Sequence, residues 1–69
     1  MLLNIQCNFY DPMSVGCIAY QGDDKILVVA VGGWMEYKYE TKQERNEVIR
    51  TLLQTWNNLL LSIVLTGNF

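Results

Sequence analysis

The sequence predicts an α+β domain: a four-stranded antiparallel β-meander followed by one amphipathic helix packed across one sheet face. Three observations carry this. Residues 2–9 and 34–40 alternate apolar with polar side chains, the period of a half-buried strand. Turn chemistry punctuates the first forty residues at Asp11-Pro12, at Gly22-Asp23-Asp24 and at Gly32-Gly33. Thr41-Lys42-Gln43-Glu44 then opens a stretch whose apolar residues recur with helical spacing.

The first predicted strand covers residues 2–9, with Leu3, Ile5, Cys7 and Phe9 on one side and Asn4, Gln6 and Asn8 on the other. Pro12 has no N–H to give a ladder, so this strand stops before it. The second strand spans residues 15–20. The third, 25–31, contains the aliphatic run Ile26 to Val31 and reads as a central strand covered on both faces. The fourth, 34–40, places Met35, Tyr37 and Tyr39 on one side and Trp34, Glu36, Lys38 and Glu40 on the other.

A tight turn at Gly32-Gly33 sets an expected register. It opposes Val31 to Trp34, Ala30 to Met35, Val28 to Tyr37, Ile26 to Tyr39 and Lys25 to Glu40. A turn at residues 21–24 opposes Tyr20 to Lys25 and gathers Val15, Cys17 and Ala19 on the helix-covered face, with Cys7 opposite Cys17. The second face then carries Ile18, Tyr20, Leu27, Val29, Val31 and Trp34. A slip of one residue would exchange these sets.

The helix starts at residue 42 behind a capping box, in which the Thr41 hydroxyl accepts from the Glu44 N–H and the Glu44 side chain returns a bond. Val48, Ile49, Leu52, Leu53, Trp56, Leu59 and Leu60 form an apolar stripe, and Arg45, Asn46, Glu47, Arg50, Gln54 and Asn57 the solvated side. Two ends are open. The helix stops near residue 58 at Asn57-Asn58, leaving residues 60–66 as a fifth strand, or it runs to about 66 with Gly67 as its left-handed cap. The Leu-rich composition and the terminal Thr-Gly favour the longer helix. In both readings Leu61 and Leu65 lie off the stripe and need another surface.

Composition narrows the function. The 69 residues make one domain at most, and one so small is marginal without help from disulfides, a metal or oligomerisation. There is no His and there are only two Cys, so no metal site or bound cofactor is expected. The two cysteines, Cys7 and Cys17, read as small buried hydrophobes rather than a redox pair. Five basic and seven acidic residues give a net charge of −2 with no basic patch, which argues against duplex nucleic acid as a partner. The apolar C-terminal stretch is interrupted by Gln54, Thr55, Asn57, Asn58 and Ser62, which argues against a membrane partner. No basic stretch precedes an apolar run as in a signal peptide, so a cytoplasmic protein is expected. Without a His base or a Gly-rich phosphate loop, the chain does not read as an enzyme.

What remains is an excess of apolar surface. Ile18, Tyr20, Leu27, Val29, Val31 and Trp34, with Leu61 and Leu65, form the expected interface. The sequence therefore reads as a small non-catalytic interaction module. It forms a homodimer or higher oligomer and acts as an adaptor or inhibitor by binding a larger protein. One alternative is an oligomer holding a nucleotide-like ligand at its subunit interface, with Trp34 and Tyr20 stacking on it. The other is single-stranded nucleic-acid binding.

Overall fold

The computed structural model describes residues 1–67. Its architecture is α+β: β1 (Leu3–Ile5), β2 (Asn8–Tyr10), a 3-10 turn (Pro12–Ser14), β3 (Val15–Gln21), β4 (Lys25–Ala30), β5 (Gly33–Lys38) and α1 (Lys42–Thr66). The strands form two antiparallel sheets, β1-β2 and β3-β4-β5, rather than one four-stranded meander.

The difference arises at residues 6 and 7. Gln6 and Cys7 both take positive φ, 48° and 66°, and fold the expected first strand into a two-residue hairpin pairing Leu3 with Tyr10 and Ile5 with Asn8. Such φ values suit a type I′ turn, which glycine or asparagine usually supplies. Here flanking asparagines brace it instead: Asn4 Oδ1 accepts from the Cys7 N–H at 2.9 Å, and Asn8 Nδ2 donates to the Gln6 carbonyl at 3.1 Å. Leu3 and Ile5 stay buried, but Cys7 and Phe9 become exposed. Cys7 therefore does not meet Cys17 on a core face; both thiols are free and exposed.

The second correction is in register. Gln21, not Tyr20, opposes Lys25, so Tyr20 meets Ile26 and Ile18 meets Val28. A bulge between Val15 and Cys17 absorbs the extra residue and returns Val15 to the side of Ala30. Ile18 thus belongs to the covered face and is buried, while Cys17 and Ala19 belong to the opposite one. At the next turn Ala30 opposes Gly33 and the central residues are Val31 and Gly32. Gly32 has φ 97°, the positive value that the second central position of a type II turn requires. The shift carries each β5 residue two positions along, so the faces keep their parity. Lys25 opposes Lys38 instead of Glu40, and Lys38 lies 4.0 Å from the Asp24 carboxylate.

The helix starts at the expected residue, with Thr41 Oγ1 accepting from the Glu44 N–H at 3.0 Å, but the return bond from the Glu44 side chain expected of a capping box does not form. It runs unbroken to Thr66, so residues 60–66 are helix and not the alternative C-terminal strand. Gly67 ends it with φ 68°, its N–H directed at the Ile63 and Val64 carbonyls. One core results: Leu3, Ile5, Val15, Ile18, Ile26, Val28, Tyr37, Ile49 and Leu52. It lies between α1, the hairpin and one face of the three-stranded sheet.

Three polar ties fix these layers. Arg45, expected on the solvated side of the helix, is 2% exposed. Its Nη1 donates to the carbonyls of Gln21 (3.3 Å), Gly22 (3.1 Å) and Lys25 (2.6 Å). Its guanidinium also lies 4.9 Å from the Tyr20 ring centroid, a cation–π distance. Trp56 Nε1 donates to the Pro12 carbonyl at 2.9 Å, holding the helix to the 3-10 turn. The Tyr10 and Tyr37 hydroxyls share a hydrogen bond that joins the hairpin to β5.

Candidate interaction surface

With the helix and hairpin on one side of the three-stranded sheet, strand alternation decides what the other side presents. The registers place three rows there: Cys17–Val29–Trp34, then Ala19–Leu27–Glu36, then Gln21–Lys25–Lys38. None of these nine residues is buried. The rows grade from apolar to charged, with Glu36 between the two regimes. Trp34 stands out at 68% exposure, and beside it Gln21, Leu27, Val29 and Glu36 line an open concavity of about 290 Å³. One sheet face thus carries both a large apolar knob and a shallow hollow.

A second apolar surface lies on the helix. Twenty-five residues span roughly 37 Å at 1.5 Å each, nearly the longest dimension of the molecule, 39 Å. The buried helix residues are Arg45, Ile49 and Leu52, all in its first half. Trp56 and Leu59 pack at the margin of the core. Beyond them Leu61, Val64 and Leu65 are exposed, Leu65 by 83%. By length and composition α1 is apolar enough to cross a membrane, though its first half is packed on the sheet.

The expected interface residues therefore divide. Leu27, Val29 and Trp34 share the uncovered sheet face, and Val31 sits at the β4–β5 turn. Leu61 and Leu65 are on the distal helix. Ile18 is core, and Tyr20, though 60% exposed, lies on the covered side with its ring against Arg45. Trp34 and Tyr20 accordingly project from opposite faces of the sheet within one chain. Sequence reasoning missed Cys17 and Ala19 on the bare face because the β3–β4 turn pairs Gln21 rather than Tyr20 with Lys25, and exposed Val64 because the helix end was open. It also missed Phe9 and Met13, whose exposure follows from the unforeseen hairpin and the 3-10 turn.

The electrostatics are structural in character. Burial, with the Tyr10 hydrogen bond, pushes the Tyr37 hydroxyl well above the usual tyrosine range, and burial raises Tyr39 as well. Both phenols stay neutral at ordinary pH. Among the described residues no group of three His, Cys, Asp or Glu side chains gathers into a metal site.

No family model matches this chain, and no curated protein or solved structure shows significant similarity to it.

Proposed function

We propose that the protein is a small non-catalytic interaction module, a homo-oligomer that acts by binding a larger protein as an adaptor or inhibitor. The observation that carries this reading is the uncovered apolar surface at two separate places. Trp34, Val29 and Leu27 lie on a sheet face that no other element among the described residues covers, and Leu61, Val64 and Leu65 on a helix end beyond the core. A small domain gains little from leaving such side chains in water, and contiguous apolar patches on soluble monomers generally mark interaction sites. Two surfaces serve two contacts: one closes the oligomer, the other takes the partner. Two free, exposed thiols suit a reducing compartment, and we place the protein in the cytoplasm.

The test is affinity capture from the source cells with the wild-type chain and with Leu61→Ser/Leu65→Ser, both checked for folding by circular dichroism. The reading expects a specific protein retained by the wild type and lost from the variant. Identical retention by both would remove the helix end from the partner site. A wild-type chain that retains nothing above background would remove the larger partner altogether.

A further inference from the structure

We infer that the bare face of the β3-β4-β5 sheet is the homodimer contact, and that it pairs with the same face of a second copy about a two-fold axis running along β4. This rests on the oligomeric reading above and names its surface and symmetry.

The inference comes from what the face presents across its width. Its β5 edge carries the large Trp34; its β3 edge carries the small Cys17 and Ala19. A two-fold axis along β4 exchanges these edges between copies. Each Trp34 then lies over the low β3 edge of the other copy, next to the concavity floored by Leu27 and Val29. Such an axis leaves every row at its own level, so the apolar row meets the apolar row and the polar row stays at the rim. A two-fold interface must be self-complementary in this way, and two sheets stacked with near-parallel strands have the usual aligned sandwich geometry.

Charge selects the same axis. A two-fold running across the strands, through the middle row, would stack Glu36 on Glu36 and set Lys25 and Lys38 over Val29 and Trp34. The axis along β4 also brings one like pair together, Lys25 with its own mate, but at the polar rim where the ammonium groups stay in water, and it sets Glu36 over Ala19 of the second copy, within side-chain reach of that copy's Lys25. The area is that of a weak, concentration-dependent dimer. Three strands about 4.8 Å apart and roughly 20 Å long present a footprint of about 300 Å² on each copy, roughly 600 Å² counting both, below the ~1,200 Å² of a standard interface and in the class of weak, transient contacts.

Two measurements test this. Sedimentation velocity of the wild-type chain up to roughly 100 μM should show twice the chain mass. Trp34→Glu should raise the dimer dissociation constant at least ~30-fold, as expected for an aromatic anchor buried in the contact, with an unchanged far-UV spectrum because Trp34 is exposed. The axis is tested by cross-linking in a Cys7→Ser/Cys17→Ser background. Lys25→Cys alone should be joined into a covalent dimer by a short bismaleimide that bridges thiols across the about 10 Å between stacked sheets, because residue 25 faces its own mate across the axis along β4, while Glu36→Cys alone should not. A dimer that survives Trp34→Glu unweakened, or that cross-links through Glu36→Cys alone, overturns this inference and leaves the oligomeric reading standing. A wild-type chain monomeric throughout overturns both and leaves the face to a different protein.

Discussion

Replacing Arg45 should cost this domain more than any surface charge could. The side chain is 2% exposed and its guanidinium holds the carbonyls of Gln21, Gly22 and Lys25 around the β3–β4 turn. Hydrogen bonds to a charged group contribute ~1.5–3 kcal/mol each. The 3.3 Å contact is weak, and the turn carbonyls regain water when the side chain is removed, so the full sum is not lost. Taking about one strong bond and the Tyr20 cation–π contact at ~0.5–1 kcal/mol gives roughly 3 kcal/mol for Arg45→Ala. A 69-residue domain has on the order of 3–10 kcal/mol in total. The variant should therefore melt roughly 12–24 °C lower. Arg45→Lys keeps the charge but loses the planar fork, and should recover no more than about half of the loss. Urea denaturation followed by circular dichroism at fixed protein concentration measures both. A loss below about 0.5 kcal/mol for Arg45→Ala would refute the assignment of Arg45 as the tie between helix and turn.

The Tyr37 hydroxyl titrates above its unfolded value near 10, because burial and the Tyr10 hydrogen bond favour the protonated form. Its contribution to stability is complete below pH 10 and falls as pH rises above it, with a slope approaching ~1.4 kcal/mol per unit. Denaturation curves from pH 8 to 11.5 should show that decline in the wild type and a shallower one in Tyr37→Phe; parallel curves would contradict it. Trp56→Phe keeps an aromatic ring but removes the donor to the Pro12 carbonyl, and should destabilise by roughly 1–2 kcal/mol in the same assay. No change there would mean that the helix is not held by that bond.

The parts legible from sequence were those fixed by local rules. Thr41 opens the helix because its side chain caps it, and Gly67 closes it because its backbone takes the left-handed conformation. Ile26, Val28 and Tyr37 share a buried face because β4 and β5 alternate, and a two-residue shift in their pairing preserves that face. Ile18 lies on the other face from that expected because the turn pairs Gln21, not Tyr20, with Lys25, which reverses parity along β3, and the bulge at Gly16 restores the expected pairing only at Val15. The β1-β2 hairpin was hidden for a related reason: its turn is Gln6-Cys7, without the Gly or Asn that advertises positive φ, and its support comes from neighbouring asparagine side chains. Arg45 looks solvated in a helical projection because a pattern of types cannot show that three carbonyls converge on one side chain. For the candidate surface, Leu27, Val29 and Trp34 followed from alternation. The small β3 edge that complements Trp34 emerged only once the register was known.

The unmodified protein offers the most direct test of the central claim, that a second copy covers the bare sheet face. Cys17 lies in its apolar row, whereas Cys7 lies in the β1-β2 turn on the other side of the molecule's three-stranded sheet, and both are exposed in the single chain. Alkylation rates of the two thiols, resolved by mass spectrometry over a series of protein concentrations, compare them within one sample. The account predicts that Cys17 becomes progressively protected as concentration rises while Cys7 reacts at a constant rate. Equal, concentration-independent labelling of both thiols would contradict it.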